Sequence, residues 1–378
     1  MFSVENPLNN RASERSGGDL GYNGFPVSLN YFTALPDPTI LHNPNVTIIF
    51  KSLSKKDSIT KEKSLNEFIQ LLDDNENTSV VVDELLILSW IQLYAKLAID
   101  NSRSVRILSH QAQSRILGIV GGKAFSKYLL SSIPIWLQGL YDNDKLVSSS
   151  TYKTLLQSFQ DNKERVDSKI WITFHEPIIN YIVTVVTLEN HKSMSDQRYT
   201  KEADSFAKYE RVLNGSVMML NKVISLINDN EIKVNKGDRE LEQIEELLNL
   251  DILWDYLGSS ISADTLNLPL FKSLLILIRY IFGNVSTDEN NEPNVIISNL
   301  NSAKTLYKLV SKKFIKHIKL KPSTKGPNND IIYSNVILQF WDSIVSLTSF
   351  SLLSSLQRKS LKIKKISGNW EGIRVALD

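Results

Sequence analysis

The sequence contains no cysteine. That absence excludes disulfide frameworks, thiol nucleophiles, iron–sulfur clusters and zinc sites with thiolate ligands. Glycine and proline are also sparse, 15 and 11 in 378 residues, too little punctuation for a fold of many short strands. Long apolar runs are missing as well. "FKSLLILIRYIF" is short, and "WITFHEPIINYIVTVVTL" is interrupted by His175, Glu176 and Pro177, so both are expected to be buried helices rather than membrane spans. The first residues, "MFSVENPLNNRASERSGGDLGYNG", have no apolar core of the kind a secretory signal or anchor needs. A soluble cytoplasmic chain without membrane contact is therefore expected, and the sequons at Asn45, Asn214 and Asn284 are expected to stay unglycosylated.

What is present is ordinary for a helical protein: 42% hydrophobic and 22% charged residues, with a net charge of +2. The charge is unevenly spread. Residues 300–378 hold 14 Lys and Arg against 4 Asp and Glu, while residues 228–257 hold nine acids and three bases.

Residues 1–24 read as a disordered segment. Residues 25–44, rich in proline yet carrying Phe25, Tyr31 and Phe32, read as an ordered strap over the first helices, or a partner contact. Helical periodicity begins at residue 45, as in Leu65, Phe68, Ile69 and Leu72. Asp57, Asp100 and Asp142 each open a helical stretch at intervals of 43 and 42 residues. A period in the forties indicates HEAT-type helix pairs. The expected fold is all-α: a right-handed α-solenoid of HEAT-like antiparallel helix pairs over 45–378, irregular after about residue 160. Sub-boundaries are expected near 160–167, 284–294 and 320–330. Later helices are expected at 167–189, 196–228, 238–257, 267–283, 295–319 and 330–360, with no sheet.

In such a unit an Asp between two helices can cap the second, or pair with an Arg of a neighbouring turn. At 100° per residue Val105, Leu108, Ala112, Ile116 and Ile119 share one face of their helix; Arg103, Arg106 and His110 fall opposite, on a side left available. Asp57, Asp100, Arg106 and Asp142 are thus expected to be structural repeat residues, with Arg106 bridging to an Asp, and Arg103 the better binding candidate.

Motifs of chemistry are weak. "LGIVGGKAF" lacks the spacing and hydroxyl of a phosphate loop, and Gly121 and Gly122 are expected to end a helix. "HEPII" places Ile179 where a zinc protease has its second histidine. The five histidines form no local pair at metal spacing. No catalytic residue, metal or cofactor is expected.

Residues from 24 onward, "GFPVSLNYFTALPDPTILHNPNVTIIFKSLSKKDSITKEKSLNEF", and later "SWIQLYAKLAIDNSRSVRILSHQAQ", resemble the N-terminal region of listerins, the RING-type ubiquitin ligases of ribosome-associated quality control. The likeness is closest over 24–120. It implies a HEAT-rich solenoid that docks on a large ribosomal subunit obstructed by a nascent chain, beside a tRNA-binding quality-control cofactor. A RING needs Cys and His ligands for zinc, and this sequence has no Cys, so the resemblance implies a docking arm without ligase activity. A monomer is expected. The alternative is a helical protein–protein adaptor with no RNA contact.

Candidate ribosome-binding residues are Lys55, Lys56, Lys61 and Lys63, clustered in "SLSKKDSITKEK", together with Arg103 and the stripe Lys308, Lys312, Lys316 and Lys319. Lysines at this density suit the phosphates and 2′-hydroxyls that A-form RNA presents. A solvated, solubilising turn would have the same composition. Lys321, Lys325 and "RKSLKIKK" (358–365) extend the basic character.

Overall fold

Helix starts in this chain are set by short polar side chains. In the computed structural model, which describes residues 27–73, 82–257, 267–287, 290–319 and 336–356, Asn43 opens α1 (Pro44–Leu53) by accepting from the N–H groups of Asn45 and Val46. Asp83 opens α3 (Glu84–Leu97) and Ser102 opens α4 (Arg103–Val120) in the same way. Asp144 does so for α6 (Lys145–Ser158), and Asn267 for α12 (Leu268–Phe282). Each satisfies backbone donors that a helix start leaves unpaired. Gly121, at φ 82°, ends α4 and leads directly into α5 (Gly122–Gln138), a conformation that favours glycine.

α2 (Ser58–Asp73), α4 and α6 stack side by side, while α3, α5 and α8 (His175–Thr187) form the opposing row. The result is an all-α solenoid. Its first units share a core in which Phe50, Phe68, Trp90, Tyr94 and His110 follow one another edge to face, tilted or, for Trp90 and Tyr94, stacked, with centroids 5.3–5.9 Å apart along the chain Phe50–Phe68–Trp90–Tyr94–His110. Trp90 donates to Gln113 at 2.7 Å and, one unit later, Trp136 donates to Thr154 at 3.1 Å. A buried indole N–H needs such a partner.

α9 (Glu202–Asn228), 27 residues long, then crosses the array, packing on α5, α8, α12 and the turn at Gly139–Tyr141. Close approach requires Gly215: a Cβ there would sit 2.9 Å from Gln138 Cγ. Gln138 fills the space, donating to Val212 O at 3.2 Å and accepting from the Tyr181 hydroxyl. Beyond it α10 (Arg239–Leu248) packs on α8, and α15 (Ile337–Leu356) packs on α12.

The later helices depart from the expected runs. The stretch expected as one helix over 167–189 is a π-turn (Arg165–Lys169), then α7 (Ile170–Thr173), then an 82° bend into α8. Pro177 is the cause, because its ring would meet the carbonyl of Thr173 in a continuous helix; in the first turn of α8 its missing N–H costs nothing. The expected 196–228 helix begins only at Glu202. The 238–257 helix breaks after Leu248 and resumes as α11 (Asp251–Asp255); 295–319 divides into α13 (Val295–Asn299) and α14 (Ala303–Lys319). Where no sheet was expected, β1 (Asn284–Thr287) pairs antiparallel with β2 (Asn290–Pro293), with Asn284 opposite Pro293. The expected disordered start, Phe25, the 320–330 sub-boundary, Lys321, Lys325 and 358–365 lie outside the described residues.

One sequence-based face is corrected. Arg106 and His110, assigned to the available side of α4, are 4% and 0% exposed, while Ile119, assigned to the packed side, is 50% exposed. Helical periodicity marks one buried face, but α4 is flanked by α2, α3, α5 and α6 together. His110 hydrogen-bonds the Tyr94 hydroxyl at 2.8 Å, and a Cβ on Gly139 would lie 2.6 Å from its Nε2. Gly139→Ala is therefore expected to destabilise by about 1–3 kcal/mol through overpacking, measured by urea denaturation; a neutral result would mean that the imidazole can retreat.

Burial, with the nearby Arg106 charge adding to it, pushes the His110 imidazole down to about 3. The unfolded chain then binds the extra proton between pH 6.5 and about 3. Stability should fall as pH drops through that window, by about 1.4 kcal/mol per pH unit from this group. His110→Gln should remove that component of the slope; an unaltered slope in the variant would show His110 to be solvated.

Candidate nucleic-acid interface

The three repeating aspartates do different work. Asp57 is an exposed cap: its Oδ2 accepts from both the N–H and the hydroxyl of Thr60 at 2.7 Å, which holds its carboxyl below the usual range. Asp100 and Asp142 stand two residues before the caps Ser102 and Asp144, and accept their N–H groups at 2.8 and 2.9 Å. Neither is itself the cap, which corrects the simplest expectation for an Asp at these turns.

Each carboxylate also takes a cation from the preceding unit. Lys61 Nζ in α2 lies 2.7 Å from Asp100 Oδ2, and Arg106 in α4 grips Asp142 through Nε at 2.8 Å and Nη2 at 3.2 Å. Arg106 Nη1 donates further to the Asp100 and Asn101 carbonyls, so it ties two successive turns together. Its side chain is 5% exposed and that of Asp142 is 6% exposed.

α9 seals this edge. Arg211 Nη2 donates to the carbonyls of Ile99 and Asp100 at 2.9 Å, and Asn214 donates to Asn143 Oδ1 at 2.9 Å. Burial pushes the Arg211 guanidinium down to about 10, and it pushes the neighbouring Lys208 ammonium down to about 8 against the pull of Asp100. The row of Asp-bearing turns is thus a structural seam. Lys61 belongs to the seam, and its place among the RNA-contact candidates is corrected for that reason.

The other candidates face outward to different degrees. Lys55, Lys56 and Lys63 are exposed, Lys63 lying 3.9 Å from Glu67 one turn along. Arg103 is half-exposed, 3.5 Å from Asp144 across the seam. Lys308 and Lys312 are exposed on α14, opposite buried Leu306, Val310 and Phe314; Lys316 and Lys319 share that helix, with side chains outside the described set. α14 packs on α11, several units from the turn of Lys55 and Lys56, so the two basic groups are separate.

At that first turn the structure adds residues that sequence reading missed. Lys56 Nζ sits over the ring of Tyr199, and Arg198 lies 5.5 Å from the same ring. Asp196 holds Arg198 in place through two bonds of 2.9 Å. The strap arrives beside them: Tyr31 N donates to Ser193 O at 2.8 Å, Lys96 donates to the Tyr31 and Thr33 carbonyls, and Tyr31 meets Phe32 edge to face. Phe32 and Tyr199 remain 60% and 63% exposed. Three segments thus meet: the 54–57 turn, the 190–200 loop and the strap. They assemble cations interleaved with exposed aromatic rings, the combination that binds backbone phosphate and stacks unpaired bases.

The fold and this surface define a class: a helical-repeat solenoid with an internally bonded seam and an open, basic, aromatic edge. Among the described residues no group of three or more His, Asp or Glu is arranged to hold a metal. A family profile, "E3 ubiquitin-protein ligase listerin, N-terminal domain", matches residues 41–324, and the chain belongs to this family. It is 35% identical over 240 residues to the E3 ubiquitin-protein ligase listerin of Saccharomyces cerevisiae, covering 61% of this chain and 15% of that protein. The Neurospora crassa listerin is 30% identical over 244 residues, covering 65% of this chain and 14% of its own length. The mouse protein is 25% identical over 251 residues, with 65% and 14% covered. The chain thus spans about one seventh of the length of these relatives. A designed armadillo repeat protein aligns over 80% of this chain and 98% of its own, at 12% identity and a TM-score of 0.26, too low to carry an argument.

Proposed function

We propose that this chain is the non-catalytic ribosome-docking domain of a listerin-type ubiquitin ligase. In this reading it binds cytoplasmic large ribosomal subunits obstructed by a nascent chain, in company with a tRNA-binding quality-control cofactor. Family membership supports the reading at the level of the whole protein, and one observation supports it at the level of residues. The cations Lys55, Lys56 and Arg198 and the exposed rings of Tyr199 and Phe32 share one edge, although they come from three separate parts of the chain.

Ligase chemistry is assigned elsewhere in such a protein, since zinc-bound RING ligands include thiolates and this chain has none. What the chain contributes is a rigid lever. The seam of Lys61, Asp100, Arg106, Asp142 and Arg211 fixes successive units against one another, so the outer loops are held at constant spacing.

The test is co-sedimentation of the purified chain with large subunits across a salt series. Binding should weaken steeply as salt rises, because each neutralised phosphate releases counterions. Cross-links to protein alone, with none to RNA, would favour the adaptor reading instead.

A further inference from the structure

Glu189 carries a charge that the fold leaves uncompensated. It follows α8, is 8% exposed, and accepts one hydrogen bond, from the Ser193 hydroxyl at Oε2. Among the described residues it makes no ion pair. A buried carboxylate without a cation is costly, and burial pushes its acidity toward the neutral form.

The carboxylate lines an open cavity of 450 Å³ between the end of α8, α9 and α11. Tyr209, Tyr256 and His191 supply aromatic walls, and the Tyr209 and Tyr256 hydroxyls bond to one another. Asp255 also lines the cavity, already engaged by Lys313. Leu188 and Ile252, 71% and 51% exposed, form an apolar rim. The end of α8 lies here too: Leu188 and Glu189 both donate to Thr184 O, and the carbonyls of 185–187 come after that last bond, at the negative end of the helix dipole.

We propose that this cavity is a receptor for an arginine side chain presented by a protein partner. Acceptors stand at one end of a largely apolar lining: the Glu189 carboxylate and the carbonyls that end α8. A guanidinium offers five donors in one plane and stacks on tyrosine faces, satisfying both features together. An ammonium would use fewer of those acceptors. The apolar rim then receives the residues that flank the arginine. The cavity shares the 190–200 loop with the basic edge at Lys55 and Lys56, through Asn190 and His191, but its chemistry is opposite in sign.

The experiment uses the full chain with methyl-labelled Ile and Leu, titrated with an acetylated, amidated Gly-Arg-Gly peptide. The Leu188 and Ile252 methyl signals should shift and saturate. The citrulline and lysine versions of the peptide should bind at least tenfold more weakly. Glu189→Gln should weaken arginine-peptide binding at least tenfold while leaving the unfolding temperature equal or higher, because it removes the buried charge without changing shape. Ile252→Arg, at an exposed position, should block the cavity and abolish the Leu188 shift. Reversal of Lys55 and Lys56 should change nothing, so failure of the RNA reading and failure of this one are separable. Equal binding of the citrulline or lysine peptide, indifference to Glu189→Gln, or no binding would overturn the proposal.

Discussion

Arg106→Ala should lower the unfolding free energy by about 3–5 kcal/mol, the largest single-residue loss anticipated for this chain. The guanidinium and its partner Asp142 are both almost fully buried, and the same side chain closes the Asp100 turn through two carbonyls. Removing it leaves the Asp142 carboxylate inside with the Asp144 N–H and, as its one remaining cation among the described residues, the longer approach of Arg211, 3.7 Å away. Arg103→Ala is the control. Its ion pair with Asp144 joins a side chain 56% exposed to one 30% exposed, so its removal should cost at most about 1 kcal/mol. Urea denaturation of both variants makes the comparison, and an effect at Arg106 no larger than at Arg103 would refute the seam.

The second large effect concerns binding. Reversing Lys55, Lys56 and Arg198 to glutamate should reduce affinity for large ribosomal subunits by more than tenfold near physiological salt. It should also flatten the dependence of binding on salt by about two to three in log–log slope, close to one for each phosphate that is no longer neutralised. Lys55 and Lys56 are exposed, so their reversal should leave unfolding almost unchanged, whereas Arg198→Glu also takes the partner from the buried Asp196 carboxylate and should lower stability, so the Lys55 and Lys56 double reversal is the clean arm. Tyr199→Ala should lower affinity by the equivalent of about 1–3 kcal/mol if an unpaired base stacks there, with the salt dependence almost intact. If the triple reversal were without effect and reversal of Lys308 and Lys312 abolished binding, the docking edge would be α14 instead.

Legibility in the sequence followed chain distance. The 42-residue interval between Asp100 and Asp142 is visible by inspection, and a HEAT-like pair is its simplest cause; the observed row of α2, α4 and α6 matches that pattern. A bridge from Arg106 to a neighbouring Asp follows from the same interval. Lys61 was harder, because only the stacking of α2 on α4 brings it to Asp100, 39 residues later. In the sequence it looks like any lysine of a solvated turn.

The buried second side of α4 had no local signal, since the helices that cover it enter from both neighbouring units. Arg198 and Tyr199 were hidden in a polar stretch, "DQRYTK", that periodicity absorbed into the following helix. Their meaning appears only when Lys56 and Tyr31, about 140 and 170 residues upstream, are folded against them. An arginine adjacent to a tyrosine in a polar stretch was the available hint. The bend at Phe174 was more accessible: Pro177 requires a break just upstream, and the chain bends there.

The solenoid turns its aspartate seam inward, and the central proposal is that it meets the ribosome with the lysine and tyrosine edge. Hydrogen exchange of the chain, free and bound to large subunits, tests it most directly. On binding, amides of residues 54–57 and 196–200 should gain protection, while those of 99–102 and 142–144 should already exchange slowly in the free chain and change little. Protection confined to the acidic helix α10, or rapid exchange of the seam in the free chain, would contradict the account.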